Sequence, residues 1–277
     1  MIKRNYCKTG IGAGVIAGLV VAAMAAGMIT GCTKNDSSST SSSAADEDET
    51  TAGDSEENGR QFEVSLDSIP STGYLWQTVY ISSNLTEAKS EYISSDPTGE
   101  VDGASGTEKI TYQADADGKA EVILKYVGPT EGALPDMYED YEVEFEDGFL
   151  SSELKTTVDC RIYLQGEYDT EHGKFHILYP DNLTVKAYED DEYKILSLSF
   201  DDETGYCDVS YSDSPILDAT TSEDITISGN TYTVGYNDDG NIMYINGNNI
   251  CFTAVESTWL LDYFSLAVIM IDNLYFE

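Results

Sequence analysis

The stretch Ile69-Pro70-Ser71-Thr72-Gly73-Tyr74-Leu75-Trp76 decides the fold class of this chain. Pro70 fixes its own φ angle and Gly73 accepts backbone conformations that other residues avoid, so together they indicate a tight turn. Tyr74 and Trp76 alternate at the start of a strand, which places both rings on one face. The stretch therefore predicts a stiff loop with small side chains at its tip and aromatic side chains at its base.

Two further elements follow in order. The segment Gly103-Ala104-Ser105-Gly106 precedes an alternating strand at residues 108–114. That strand turns at Asp117-Gly118 into a second strand at residues 120–126, and the pair predicts a hairpin. Pro129 lies just beyond the second strand.

The order of these elements resembles the chagasin family of inhibitors of papain-like cysteine proteases, over residues 62–164. The resemblance implies an immunoglobulin-like β-sandwich in residues 61–165 and an inhibitor, not an enzyme. It also implies that Thr72 lies nearest the catalytic Cys and His of a bound protease, while Tyr74 and Trp76 anchor the loop base in the core. The residues that it assigns to protease binding are Pro70, Ser71, Thr72, Gly73, Tyr74, Trp76, Gly103, Gly106 and Pro129.

The third element departs from the family pattern. Chagasin-type proteins carry Arg-Pro-Trp after a strand that ends in Tyr, whereas this chain reads Tyr126-Val127-Gly128-Pro129-Thr130-Glu131. Buried Trp and Arg side chains each contribute about 2 kcal/mol or more at interfaces, so their loss weakens binding or redirects it to another protease. The alternative function is a non-catalytic binding module or structural envelope lipoprotein. It is favoured if Ser71, Thr72 and Gly73 pack beneath the insertion at residues 130–154.

The N-terminus predicts a bacterial lipoprotein signal peptide at residues 1–31. Lys3, Arg4 and Lys8 precede an apolar stretch at residues 11–29, and small residues lead to Cys32. By resemblance to lipoboxes, Cys32 becomes the lipidated first residue and holds the protein on the outer side of the cell membrane. The alternative is an uncleaved anchor, because 19 mostly apolar residues are long enough to span a bilayer. Residues 32–60 are rich in Ser, Asp and Glu and predict a disordered tether.

The charge of the chain excludes classes of partner. The sequence holds 14 Lys and Arg against 51 Asp and Glu, a net charge of −37 that becomes −40 once residues 1–31 are removed. Nucleic acids and anionic lipids both need positive potential, so neither is predicted as a partner. The favoured role of the negative charge is to keep the protein soluble and to repel it from an anionic cell surface. The alternative role is to attract a basic partner or divalent cations.

The second half, residues 166–277, predicts a smaller α+β domain with an antiparallel sheet and a C-terminal helix. Its beginning, a strand at residues 175–179, Pro180 and a second strand at 183–185, resembles PsbP-like domains. Strands are predicted around 194–200 and 207–211. Three more, at 231–236, 242–245 and 250–255, are joined by turns at Asp239-Gly240 and Asn246-Gly247. A helix capped by Ser257 or Thr258 runs to Met270 and packs on the last sheet.

Two local predictions concern the junction between the halves. Residues 156–164 alternate like a closing strand, with Val158, Cys160, Ile162 and Leu164 on one face. Residues 138–148, within the insertion, predict a strand with aromatic residues and Val on one side and solvated carboxylates on the other.

Enzyme and metal motifs are weak in this sequence. His172 and His176 stand outside any metal-ligand pattern, and no nucleophile elbow or phosphate-binding glycine loop occurs. Segments 115–118 and 237–240 lack most calcium ligands and predict hairpin turns instead. Cys160, Cys207 and Cys251 allow at most one disulfide, and buried free thiols are the favoured state. We therefore predict no cofactor. The alternative that two of the scattered carboxylates act as the acid and base of a glycosidase stays open.

Overall fold

The described part of the chain folds mainly into antiparallel β-strands, in agreement with the predicted fold class. The computed structural model describes residues 59–170, 173–188, 194–200, 205–212, 214–215, 217–255 and 258–276. The first seven strands are β1 (Gln61–Ser68), β2 (Leu75–Ile81), β3 (Leu85–Ser94), β4 (Gly106–Ala114), β5 (Gly118–Val127), β6 (Met137–Glu146) and β7 (Phe149–Asp159). They form two sheets, in the orders β1-β4-β3 and β2-β5-β6-β7.

The two sheets enclose one apolar core, which confirms the predicted β-sandwich. Alternate residues of each strand face inward, because side chains on a strand point to opposite faces with a period of two. The three-stranded sheet contributes Val64, Leu66 and Tyr112, among others, and the four-stranded sheet contributes Leu124 and Phe145. All five are almost completely buried.

The predicted hairpin of β4 and β5 is wrong, although both strands are present. β4 pairs with β1 and β3, whereas β5 pairs with β2 and β6. Tyr112 on β4 and Val122 on β5 both face the sandwich core. The segment between these strands therefore connects one sheet to the other. The Asp117-Gly118 pair lies at the end of this connection and not in a hairpin turn.

β6 is a central strand, and part of its predicted acidic face is buried. It lies between β5 and β7. Glu142 and Glu146 are exposed, as predicted, but Glu139 and Asp140 are buried. Glu139 forms an ion pair with Lys155 at 2.7 Å, which offsets the cost of burying its charge.

The predicted closing strand at 156–164 combines two strands. β7 ends at Asp159 and a 3-10 turn follows at Cys160–Ile162. The Asp159 carboxylate accepts a hydrogen bond from the backbone N–H of Arg161 at 3.0 Å, the kind of local bond that ends regular pairing. Ile162 is 61% exposed, so the predicted shared face does not extend through the turn.

The remaining strands form two more antiparallel sheets. They are β8 (Leu164–Thr170), β9 (Gly173–Tyr179), β10 (Leu183–Ala187), β11 (Lys194–Phe200), β12 (Tyr206–Tyr211), β13 (Thr221–Ile227), β14 (Asn230–Tyr236), β15 (Ile242–Gly247), β16 (Ile250–Ala254) and β17 (Tyr275–Phe276). A seven-stranded sheet has the order β10-β11-β12-β16-β15-β14-β13, and a three-stranded sheet has the order β17-β9-β8. The predicted antiparallel sheet is thereby confirmed.

The turn between β15 and β16 lies two residues beyond its predicted place. Asn246 pairs with Cys251 and Gly247 with Ile250, which leaves Asn248 and Asn249 as the loop. Both have positive φ angles, 51° and 62°, as a type I′ hairpin turn requires. Asparagine tolerates that conformation better than most residues, so the Asn-Asn pair takes the role that the Asn-Gly pair was expected to have.

The predicted C-terminal helix is confirmed, in two pieces. α1 (Trp259–Asp262) and α2 (Phe264–Asp272) are separated by Tyr263, whose φ of −125° and ψ of 36° are not helical. Of the two predicted caps, Thr258 occupies the N-cap position, but its hydroxyl donates to the Asp262 carboxylate at 2.6 Å and does not cap the backbone; Ser257 lies outside the described residues. α2 contacts β9 and β13 as well as β2 of the sandwich.

A second core joins the sandwich to the C-terminal strands and helices. Tyr80, Ile123 and Tyr138 on the outer face of the four-stranded sheet belong to the same apolar cluster as Leu198 and Val268. All described residues belong to one compact unit. The boundary at residues 165/166 stays a prediction.

Several expectations fall on residues outside this description. They are the signal peptide at 1–31, the lipidated Cys32, His172 and all of the 32–60 tether except its last two residues. Among the residues that are described, no helix has the length and apolar character needed to cross a membrane.

Candidate functional site

Three loops meet at one end of the sandwich. Loop 1 is residues 69–74 between β1 and β2, loop 2 is residues 95–105 between β3 and β4, and loop 3 is residues 128–136 between β5 and β6. The register explains their meeting. Gly106 is paired with both Ser68 and Ser94, so loops 1 and 2 leave one sheet at the same level. In the other sheet, Leu75 pairs with Val127, which brings loop 3 beside loop 1.

Loop 1 is stiffened by its own hydrogen bonds. Pro70–Thr72 forms a 3-10 turn. The N–H groups of Thr72 and Gly73 donate to the carbonyls of Ile69 and Pro70, each at 3.0 Å. The Thr72 hydroxyl also donates to the Ile69 carbonyl, at 2.6 Å. Gly73 has a φ of 79°, which strongly favours glycine. Ser71 and Thr72 are exposed at the tip.

The aromatic base of loop 1 lies against Tyr126 of β5. The rings of Tyr74 and Tyr126 are stacked with centroids 5.0 Å apart, and the Trp76 ring lies 4.9 Å from Tyr126 on centroids. The Trp76 Nε1 donates to the Asp67 carbonyl at 2.9 Å. Tyr74 and Trp76 are only half-buried, and Trp76 packs at the margin of the sandwich core. They support the loop from the rim of the core.

Loop 2 is organised by Asp96, a residue that sequence reasoning missed. Its carboxylate accepts hydrogen bonds from the Thr98 N–H at 2.9 Å, the Thr98 hydroxyl at 2.6 Å and the Val101 N–H at 2.7 Å. These bonds, that of the Thr98 hydroxyl first, lower the pKa of Asp96 to about 2. The signal was present as Asp96-Pro97-Thr98-Gly99, because an Asp followed by Pro and Gly is typical of an Asx turn.

Loop 1 touches both of the other loops. The Ser71 hydroxyl donates to the Gly103 carbonyl of loop 2 at 3.1 Å. A Cβ atom placed on Gly103 would lie 2.7 Å from the Ser71 Cβ, and one placed on Gly73 would lie 2.9 Å from the Pro129 Cβ. Real Cβ contacts are not this short, so both glycines permit the close approach of the loops. Pro129 itself is exposed.

The predicted binding residues therefore fall into two groups. The structure brings together Pro70, Ser71, Thr72, Gly73, Tyr74, Gly103 and Pro129 at the loop end. Gly106 and Trp76 lie on strands just below it. A Cβ on Gly106 would approach the Ile93 carbonyl oxygen to 2.4 Å, so this glycine serves strand pairing. Whether these residues bind a protease stays a prediction.

Exposed apolar side chains lie in or next to loops 1 and 2, and sequence reasoning missed them as well. Ile69 begins loop 1 and Leu75 follows it, while Ile93 precedes loop 2 and Val101 lies within loop 2. Their exposed fractions run from 40% to 61%. Exposed apolar residues that share one end of a molecule are typical of a protein-binding surface.

The arrangement of possible metal ligands and the state of the cysteines can be read from the described residues. Among them, no group of three or more His, Cys, Asp or Glu is arranged to hold a metal ion. Cys160, Cys207 and Cys251 are buried and form no disulfide. Burial raises the pKa of the Cys160 thiol to about 12, which keeps it protonated and unreactive at neutral pH.

Comparison with protein families agrees with the geometry of this end. Residues 56–144 match the chagasin family of peptidase inhibitors, family I42. This part of the chain is chagasin-like. The match confirms the resemblance seen in the sequence, and it covers loops 1, 2 and 3 but less than half of the chain. The resemblance of the C-terminal half to PsbP-like domains stays a prediction.

One solved structure is similar to part of the chain. The crystal structure of the cysteine protease inhibitor EhICP2 from Entamoeba histolytica is 20% identical, with coverage of 36% of this chain and 78% of that chain and a TM-score of 0.25. No curated protein matches the sequence.

Proposed function

We propose that this protein is a cell-surface lipoprotein that inhibits papain-like cysteine proteases with the three loops at one end of its sandwich. The observation that carries the proposal is the contact of loop 1 with both neighbouring loops while Ser71 and Thr72 stay exposed. A loop held in this way projects as a narrow wedge. The family match over residues 56–144 supports a peptidase as the partner.

The loop geometry supports inhibition without cleavage. A substrate enters a protease cleft as an extended strand, whereas residues Pro70–Thr72 form a 3-10 turn closed by Gly73. The peptide bonds at the tip are therefore not presented in an extended form. Because the turn is already ordered by three hydrogen bonds to Ile69 and Pro70, little conformational entropy is lost on binding.

The location at the cell surface is proposed from the N-terminal sequence. Lys3, Arg4 and Lys8, the apolar stretch and the small residues before Cys32 support export and lipidation. The acidic, Ser-rich segment that follows supports a tether, since it has too little apolar surface to fold alone. The inhibitory end would then face proteases outside the cytoplasm.

The alternative is a non-catalytic binding module or structural envelope lipoprotein. The missing Arg and Trp of loop 3 favour it, because those side chains commonly carry much of an interface's binding energy. The exposure of Ser71 and Thr72 opposes it, because exposed residues are not packed beneath residues 130–154. Gly73 is half-buried, and the neighbour that its missing Cβ would meet is Pro129, which precedes the insertion. We therefore place inhibition first.

A titration of papain and of a cathepsin-type protease tests the proposal. The protein used is the compact unit Gly53–Glu277, as the parent and as Thr72→Arg. We expect stoichiometric inhibition by the parent and an inhibition constant at least about 100-fold weaker for Thr72→Arg, since a long charged side chain at the tip blocks entry into a narrow cleft.

Thr86→Arg is the matched control. Thr86 is an exposed threonine on β3 whose hydroxyl also donates to a backbone carbonyl, that of Gln113 at 3.4 Å. We expect this variant to inhibit like the parent. Absence of inhibition by the parent at micromolar concentration would overturn the proposal in favour of the binding module, and equal inhibition by parent and Thr72→Arg would remove loop 1 from the mechanism.

A further inference from the structure

We propose that Arg161 and Ile162 form a fourth contact element at the inhibitory end and take the place of the Arg and Trp that loop 3 lacks. The inference rests on the proposed function, because it names further binding residues for the same protease. It assigns a role to a turn that lies outside the family match, which ends at residue 144.

The first argument for this inference is the position of the turn, at the end of the sandwich that bears the three loops. β7 ends at Asp159, which pairs with Met137, the first residue of β6. The Cys160 N–H then donates to the carbonyl of Asp136, the last residue of loop 3, at 3.0 Å. The 3-10 turn Cys160–Ile162 therefore lies beside loop 3, at the end of the sandwich where loops 1 and 2 also lie.

The distance to loop 1 fits a single interface. In the order β2-β5-β6-β7, loop 1 leads into β2 and the turn follows β7, so they are three strand spacings apart. That is about 14 Å at the usual spacing between strands. An ordinary interface covers roughly 800 Å² on each partner, a patch close to 28 Å across. A protease seated on loop 1 would thus extend over the turn.

The side chains carry the second step. The Arg161 side chain is 68% exposed and is held by two hydrogen bonds to the Asp159 carboxylate, Nε to Oδ1 at 2.8 Å and Nη2 to Oδ2 at 2.7 Å. A guanidinium has five N–H donors, so this fork orients the group and leaves donors for a partner. Ile162, next to it, is 61% exposed. An oriented guanidinium beside an exposed apolar side chain offers a partner one charged and one apolar contact, the two kinds of contact that the missing Arg and Trp would make.

The charge around the turn indicates the group that Arg161 would meet. Loops 1, 2 and 3 and the turn contain five acidic residues, Asp96, Glu100, Asp102, Glu131 and Asp136, and Arg161 is their one Lys or Arg. Its natural counterpart is a carboxylate at the rim of the protease cleft, which a guanidinium binds with a planar fork.

The inhibition assay with matched arginine variants tests this assignment. Arg60 is the control, because it forms an exposed ion pair with Asp117 at 2.8 Å at the opposite end of the sandwich. We expect Arg161→Ala to weaken inhibition of papain by about 10- to 100-fold and Ile162→Ser by about 10-fold. Arg60→Ala should inhibit like the parent, and Arg161→Lys should be intermediate because it keeps the charge and loses the fork.

The outcomes separate this inference from the function on which it rests. If Arg161→Ala and Ile162→Ser inhibit like the parent while Thr72→Arg does not inhibit, the fourth element is wrong and the inhibitory function stands. If the Arg60→Ala control weakens inhibition as much as Arg161→Ala, the effect is not specific to this end and the inference is overturned. If the parent inhibits neither protease, both proposals fall together.

Discussion

The two faces of the four-stranded sheet bury different sets of polar groups. On β5, Val122 and Leu124 point into the sandwich and belong to its apolar core. Glu139 of β6, which pairs with Leu124, is buried on the same face and forms an ion pair with Lys155. Glu121, Ile123 and Lys125 alternate with them and point to the C-terminal strands and helices. Both faces thus combine an apolar cluster with an ion pair, and the outer face differs in carrying two further carboxyl groups, Glu121 and Asp140.

Asp272 at the end of α2 organises the polar part of the outer face. It accepts hydrogen bonds from Lys125 Nζ at 2.8 Å, from the Tyr138 hydroxyl at 2.5 Å and from the Ser228 hydroxyl. The Asn273 side-chain N–H₂ donates in turn to the Tyr138 hydroxyl at 2.7 Å. This network connects the sandwich to α2 and to the β13-β14 turn. It gives the outer face a defined geometry that apolar contact alone does not specify.

A second polar contact on the outer face involves a carboxyl group, that of Glu121, whose neutral form is favoured by burial. Glu121 accepts a hydrogen bond from the Ser265 hydroxyl of α2 at 2.7 Å. Burial raises the pKa of Glu121 to about 8, and the neighbouring Asp140 carboxylate adds to the rise. Burial raises the pKa of Asp140 too. The outer face therefore holds two carboxyl groups whose pKa values are raised by burial, and its stability is expected to fall as pH rises.

The largest expected effect comes from the inner face. Phe145→Ala removes a side chain that is 1% exposed and leaves a cavity within the apolar cluster of the sandwich. We expect a loss of about 4 kcal/mol in the free energy of unfolding, measured by urea denaturation. Phe149→Ala is the control, because Phe149 is 67% exposed, and it should change stability by less than about 0.5 kcal/mol. A small loss for Phe145→Ala would contradict the assignment of this face as a closely packed apolar core.

The next effect comes from the buried ion pair of the outer face. Lys125→Met leaves the Asp272 carboxylate, whose side chain is 2% exposed, without its cation. We expect a loss of about 3 kcal/mol, because a buried charge without its partner is strongly unfavourable. Lys119→Met, at an exposed position of the same strand, should be nearly neutral in the same urea experiment. Equal stability of the two variants would show that the outer face does not depend on the pair.

Alternation of apolar and polar residues predicted the strands but not which sheet they join. Residues 108–114 and 120–126 alternate clearly, yet the crossing between sheets depends on which core their apolar faces share, a tertiary property. The same limit explains Asp140. Its sequence neighbours indicate a solvated face, whereas in the fold it is buried beside Glu121 of β5 and Ser265 of α2.

The site residues can be divided in the same way, into those predictable from the local sequence and those whose place depends on the tertiary fold. Loop 1 was predictable, because Pro70 and Gly73 determine its backbone locally. Its contacts with Gly103 and Pro129 depend on strand register, which a family resemblance supplied and residue chemistry did not. Arg161 carried no signal in the sequence, because its place beside loop 3 follows from the end of β7 at Asp159.

The smallest effect concerns pH and Glu121. A carboxyl group whose pKa is raised on folding keeps its proton more readily in the folded state, so the folded state loses relative stability as pH rises. The loss begins near the unfolded pKa, about 4.3, and is complete above about 8, the value that burial gives Glu121.

Glu121→Gln cannot ionise and keeps the shape of the side chain. We therefore expect its stability relative to the parent to rise across this window, by about 1 kcal/mol or more at pH 9. Glu146→Gln, at an exposed position on β6, should show no such rise. Parallel pH profiles for the parent and Glu121→Gln would mean that solvent reaches this carboxylate and that the outer face is looser than the inner one.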